Sequence, residues 1–202
     1  MLYSLAKALF WLLFTLVFRW DVRGLEHVPK GGPLLVVANH FSWLDPPLVG
    51  TVLPRKVHFM AKHELFRYPL FGWLLRRVGA FPVRRGHPDR QALRHSLELL
   101  RRGEVVGLFP EGTRSRGALG PFEPGAGLLA LRSGAPVLPV AIEGPYRIGR
   151  RIRVRVGPPL YWDRAGTDGS VEAVTDRMRE AIAALLAPHT AGRAASGRIY
   201  AG

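Results

Sequence analysis

Polar and apolar positions along the chain fall into two alternating kinds of segment. Short apolar runs at 34–38, 57–60, 80–83, 105–109 and 137–142 predict strands. The segments between them carry helical signals. "HPDRQALRHSLELLRRG" has Pro88 near its start, Leu93, Leu97 and Leu100 on one face, and Gly103 just past its end. "GSVEAVTDRMREAIAALLA" offers Ser170 as an N-cap and a stripe of Val171, Val174, Met178, Ile182 and Leu185. "RIRVRV" alternates arginine with Ile152, Val154 and Val156, which predicts a late edge strand with one wet face. In "PVLPVAI" the buried pattern contains Pro139, which predicts an edge, a bulge or a special approach. Strand–helix alternation predicts an α/β fold with a mostly parallel sheet flanked by helices.

The first twenty residues break the alternation. "MLYSLAKALFWLLFTLVFRW" is almost wholly apolar, interrupted by Lys7. The uninterrupted part, 8–18, is short for a spanning helix, which takes roughly 20 apolar residues. No small-residue cleavage site follows; Arg19, Trp20, Asp21, Val22 and Arg23 come instead. The pattern predicts an N-terminal apolar helix that associates with a membrane, lying in the interface or dipping into one leaflet. Trp11, Arg19, Trp20 and Arg23 would then sit at headgroup depth. A buried core helix is the other reading. Three segments result: 1–22 as membrane-associating helix, 23–187 as one domain, and 188–202 as a flexible tail. No internal repeat or linker divides the middle segment.

Charge changes the picture of partners more than of fold. The 202 residues carry a net charge of +14. Such a charge fits nucleic acid, an anionic membrane surface or an anionic substrate. Aromatic-rich RNA-binding signatures are missing and the arginines are scattered, which favours membrane or small anions over nucleic acid. There are no cysteines, so disulfides, thiolate nucleophiles and cysteine-bound zinc leave the argument. His58 and His63 lack clustered acids at metal-like spacing apart from Glu64, and no metal site is expected. G-x-S-x-G, Walker and H-E-x-x-H patterns do not occur.

Chemistry gathers where strands end. In parallel α/β sheets, ligands collect at the carboxyl ends of strands. "NHFSWLDPP" places His40 at such an end with Asp45 five residues on. Histidine can take a proton near neutrality, and a carboxylate on its other nitrogen would fix the tautomer and steady the imidazolium. A capping Asp45 beside a structural His40 is the bland alternative. "FPEGTRS" follows the 105–109 run with an acid, a glycine turn, a hydroxyl and a guanidinium. Turn amides with Arg114 would suit a phosphate. Glu111 would accept from a substrate hydroxyl or hold Arg114, and a surface Glu–Arg turn is the alternative. Arg84 and Arg85 emerge from "GAFPVRRG". "AKHELFRYPLFGWLLRRVG" is strongly apolar, either core or a second interfacial element.

The order "NHFSWLDP", "AKHEL", "GAFPVRRG", "FPEGTRSRG", "PVLPVAIEG" resembles the glycerolipid acyltransferase family, in particular its 1-acyl-glycerol-3-phosphate acyltransferases. The likeness runs from about Gly24 to Leu160. It implies His40 as catalytic base and Asp45 as its orienting partner. It implies Lys62, Arg85, Glu111, Gly112, Thr113 and Arg114 as substrate-binding, and Pro139 as part of an acyl-site strand. Arg84 stands where many members have an acid, and Glu123-Pro124 where some carry lysines. The implied activity is acyl transfer from acyl-CoA or acyl carrier protein, without cofactor, to a lysophospholipid at the cytoplasmic face of the cell membrane. Another lysophospholipid or an amine lipid is a second acceptor reading. A non-catalytic basic membrane-binding protein is a third, and it leaves His40, Asp45 and the Glu111–Arg114 turn unexplained.

Overall fold

The computed structural model describes residues 2–84, 86, 89–114, 119–162 and 169–187. The run at 34–38 becomes strand β2 (Leu34–Ala38), with every residue buried. A strand with no wet face needs a layer on each side. β5 (Val105–Leu108) and β6 (Val137–Glu143) pair with β2 in parallel on its two edges. β3 (Val57–Lys62) extends the sheet beyond β5, and β4 (Phe81–Val83) lies outside β3, both parallel. On the far side β7 (Arg151–Val156) runs antiparallel to β6, and β1 (Arg19–Arg23) pairs in parallel with β7. The order is β1-β7-β6-β2-β5-β3-β4. This is the expected α/β fold with a mostly parallel sheet.

Alternation along β2 feeds two cores. Leu34, Val36 and Ala38 face a layer containing α1 (Leu2–Val17) and α2 (Asp45–Val52), where Phe14, Leu48 and Val49 are buried. Leu35 and Val37 face α4 (Arg90–Arg101), α5 (Gly125–Ser133) and α6 (Val171–Leu186). Ser170 caps α6 as expected, its Oγ accepting from the Ala173 N–H at 3.2 Å. α4 is capped by Asp89, which accepts from the Gln91 and Ala92 N–H groups at 3.0 Å each. One short helix, α3 (Pro69–Arg77), links β3 to β4.

Two expectations need correction, and the alternatives left for Pro139 are decided. β7 shows the alternation read for it, with Ile152, Val154 and Val156 buried, but it is not an edge strand. β1 covers it along five registered pairs, and the Arg155 guanidinium donates to the Asp21 carboxylate at 2.7 Å. The N-terminal segment accordingly splits: the helix ends at Val17, and Arg19–Arg23 belongs to the sheet. Pro139, in turn, sits in an interior strand. Its carbonyl accepts from the Gly157 N–H at 2.9 Å, on the side of β7. A residue's N–H and C=O point the same way in a strand, so the missing donor faces the gap between the last β6–β7 pair, Val140 with Val156, and the separate Val137–Leu160 bridge. Pro139 stands opposite Gly157 and withholds only the reciprocal N–H of that pair, next to a one-residue step in register to the Val137–Leu160 bridge, which is a bulge. The segment 188–202 lies outside the described residues.

Candidate active site

β2, β5, β3 and β4 are mutually parallel, so their carboxyl ends form one rim. Past the end of β2 the chain is held by Asn39. Its side-chain amide donates to the Ile142 carbonyl at 2.9 Å and accepts from the Ile142 N–H at 2.8 Å. The amide acts as one more rung between β2 and β6. It fixes where His40 leaves the sheet.

His40 is buried, and its Nδ1 donates to Asp45 Oδ2 at 2.9 Å. Asp45 is fully buried at the start of α2, followed by Pro46 and Pro47 in the first turn. A buried carboxylate is costly unless it is well hydrogen-bonded. Here Oδ2 also accepts from the Phe41 and Ser42 N–H groups at 2.7 Å each, and Oδ1 accepts from the Tyr146 hydroxyl at 2.7 Å. The helix N-terminus adds favourable dipoles. Asp45 therefore ties the turn that precedes the helix and orients the imidazole, but it is not the helix cap: Leu44 holds that position and no side chain caps it. Because the Nδ1 proton points at the carboxylate, the basic lone pair lies on Nε2. The His40 ring also stacks on Phe109, with centroids 4.3 Å apart. Burial, and the neighbouring Asp45 charge, push the Tyr146 hydroxyl above the ordinary phenol range, so it stays a donor.

Glu111 is where the structure departs most from the sequence reading. It is buried in the turn after β5, which closes with Gly112 at φ +65° and a Gly112 N–H to Phe109 carbonyl bond of 3.1 Å. Its Oε1 accepts from the His40 backbone N–H at 2.8 Å, and its Oε2 from the Gly120 N–H at 3.1 Å. Both oxygens thus serve backbone amides, and one of them holds the backbone of His40. The alternative of a Glu111–Arg114 surface pair does not form. Arg114 instead lies over the Trp43 ring, 4.3 Å from its centroid. Thr113 and Arg114 are exposed and Gly112 is half-buried.

The remaining candidates divide. Lys62, at the end of β3, is half-exposed on the same rim and pairs with Glu64 at 3.2 Å. Arg85 lies outside the described residues. Arg84, just past β4, uses its backbone N–H to reach Asp89 at 2.9 Å. Pro139 is not brought to His40: it packs toward Gly157 and Leu185, in the layer opposite α2. The sequence reading missed Tyr146 and Trp43 and gave Asn39 no role. The available signal for Tyr146 was its place just after β6, at the end of a strand parallel to β2.

What the arrangement can do is remove a proton from a hydroxyl beside a cationic strip, since base, orienting acid and cations follow one another along the rim. Comparison with known proteins agrees with that chemistry. A family model described as Acyltransferase matches residues 19–143. The chain is 34% identical over 147 residues to the 1-acyl-sn-glycerol-3-phosphate acyltransferase of Bacillus subtilis, covering 69% of this chain and 73% of that one. It is 42% identical over 126 residues to a lyso-ornithine lipid O-acyltransferase of Pseudomonas aeruginosa, covering 61% of this chain and 48% of that one. The crystal structure of the 1-acyl-sn-glycerophosphate acyltransferase from Thermotoga maritima superposes with a TM-score of 0.70 at 30% identity, covering 92% of this chain and 78% of that one.

Proposed function

The chain belongs to the acyltransferase family, and we propose that it moves a fatty acyl group from an acyl thioester to the free sn-2 hydroxyl of 1-acyl-glycerol-3-phosphate, giving phosphatidic acid. The observation that carries this reading is the 2.9 Å contact from His40 Nδ1 to an Asp45 carboxylate held by three further donors. His40 Nε2 takes the hydroxyl proton as the oxygen attacks the thioester carbonyl. Asp45 steadies the imidazolium that results. The tetrahedral intermediate collapses, the C–S bond breaks, and the proton on Nε2 passes to the departing thiolate. No acyl-enzyme is formed. Lys62 and Arg114 supply positive charge for the acceptor phosphate, and the donor is acyl-CoA or acyl carrier protein.

We place the reaction at the cytoplasmic face of the cell membrane, where such thioesters are met. α1 is the attachment: Leu5, Leu9, Trp11, Leu12 and Leu16 are exposed on it, while Phe14 anchors it to the core. Among the described residues no helix is long and apolar enough to cross a membrane. On this reading the exposed face of α1 lies in the interface, and the net charge of +14 draws the chain to anionic lipid. In domain terms, α1 is the membrane element and 19–187 the catalytic unit.

Purified protein, 1-acyl-glycerol-3-phosphate and each donor in turn provide the test, with phosphatidic acid measured by mass spectrometry. Product is expected with at least one donor, and His40→Ala should lose roughly 10²–10⁴ of the rate or more. Unchanged turnover in His40→Ala overturns the mechanism. The likeness to the Pseudomonas lyso-ornithine lipid enzyme favours a second acceptor, one with an amino-acid headgroup. A competition assay between the two acceptors decides between them.

A further inference from the structure

Helix α3 has almost nothing inside the protein to pack against. Its one buried residue is Gly72, which sits so close to Phe66 that an added Cβ would meet the Phe66 carbonyl oxygen at 2.7 Å. A nine-residue helix is marginal in water on propensity alone and takes its stability from an apolar face packed on something. α3 has such a face, but it points outward. Leu70 is 80% exposed and Tyr68 66%, and Phe71, Trp73 and Leu74 are exposed beside them. Together they line one shallow groove. A contiguous apolar patch of this kind marks an interaction surface.

Its border says what kind. The Arg76 guanidinium lies 5.3 Å from the Phe66 ring centroid, and that of Arg77 lies 5.2 Å from Trp73. Arg67 stands in the 3-10 turn His63–Arg67 that leads in, whose one acid, Glu64, is paired with Lys62 at 3.2 Å. Leucine side chains and aromatic rings are exposed side by side, and two guanidinium groups lie on the rings of Phe66 and Trp73. That combination of aliphatic, aromatic and cationic groups on one face suits the acyl boundary, interface and phosphate of an anionic bilayer.

Position in the fold agrees. α2 crosses from β2 to β3 in the layer it shares with α1. The step from β3 to β4 continues in the same direction across the sheet. A right-handed crossover puts α3 in that same layer. α1 and α3 therefore stand on either side of α2, whose first residue is Asp45.

We infer that α3 and its lead-in turn form a second bilayer contact, seated at headgroup depth in an anionic membrane. With α1 it gives two supports, which set the tilt of the rim that carries His40. The inference rests on the membrane attachment proposed above for α1, and the experiment separates the two. The chain has no cysteine, so single positions can be labelled with the environment-sensitive fluorophore NBD. Leu70→Cys reports on α3, Leu9→Cys on α1 and Glu180→Cys on the opposite layer. On phosphatidylglycerol–phosphatidylethanolamine vesicles, labels at 70 and 9 should shift to the blue and brighten several-fold, and the label at 180 should not. Pure phosphatidylcholine vesicles should give a weaker response at 70. A label silent at 70 but responsive at 9 overturns the inference and leaves α1 as the attachment. Silence at both rejects both readings. A response at 70 with silence at 9 rejects the α1 attachment and overturns the two-support reading, leaving α3 as a lone contact. A response at 70 to acyl carrier protein, or to rising protein concentration without lipid, makes the patch a protein surface and overturns the inference.

Discussion

The two ends of the rim are built on opposite principles. His40, Asp45 and Glu111 are buried and bonded in place: Asp45 accepts from four donors, and Glu111 grips the backbone of His40 itself. The cations, Lys62 at the end of β3 and Arg114 past β5, are exposed and loosely tied, Lys62 to a neighbouring carboxylate and Arg114 to the face of Trp43. The difference fits the proposed reaction. Proton transfer needs atoms placed before the substrate arrives, and displacements of about 1 Å can cost about 10²-fold. An anion needs only positive charge within reach, and solvated cations supply it at little cost in desolvation. The first end is a fixed device and the second an adjustable one.

Glu111→Gln is the sharpest way to break that division. The carboxylate accepts two N–H groups, from His40 and Gly120. A glutamine can accept only one of them and turns its own NH₂ toward the other. The loss of a charge-assisted bond and the unsatisfied amide should cost about 2–3 kcal/mol in stability. With His40 displaced, kcat should fall about 10²-fold while KM for the lysolipid changes little. Thermal melts and steady-state kinetics read both. A rise in KM at unchanged kcat would move Glu111 into the anion-binding half.

The contrast between the halves also marks what the sequence made legible. Buried strands declare themselves by apolar runs, so β2, β5 and β6 could be read almost residue by residue. His40 and Asp45 lie on one short turn, and their spacing was visible because the contact is local. The bonds that finish the site are not local. Asn39 reaches Ile142, Glu111 reaches His40 and Tyr146 reaches Asp45 only because β6 and β5 flank β2. Strand order is a property of the folded sheet, which no periodicity in the chain reports. The same holds for β1. "RWDVR" reads as a charged flank of the apolar helix until β7 is there to pair with it. Lys62 and Arg114 were legible only as residue types, since exposed side chains have no packing core to dictate where they point.

Tyr146→Phe tests how much of the fixed end is redundant. The ring keeps its contacts with Phe18 and Phe41, at 5.8 and 5.5 Å between centroids, and only the hydroxyl to Asp45 is lost. Three donors to the carboxylate remain. We expect a loss of about 1–2 kcal/mol, equal to about 5–30-fold in kcat. Burial and the Asp45 charge hold the phenol protonated well into alkaline solution. The ratio of wild-type to variant rates should therefore stay flat as pH rises through 10, the ordinary phenol value. A ratio falling toward unity there would mean that the hydroxyl ionises and that the hydrogen bond is weaker than its 2.7 Å length implies.

The smallest effect belongs to the adjustable end. Trp43→Ala removes the surface on which Arg114 rests. An exposed cation–π contact is worth about 0.5–1 kcal/mol, so acceptor KM should rise only about two- to fivefold, with kcat and melting temperature almost unmoved. The guanidinium is still present in the variant and still finds the phosphate; it has only lost the ring that kept it near the rim. The rise should be larger at high salt, because screening removes the long-range attraction that otherwise compensates for poor placement. A large drop in kcat, by contrast, would show that Trp43, two residues before Asp45, is part of the rigid machinery and that the boundary between the halves runs through the Arg114 side chain rather than through Glu111.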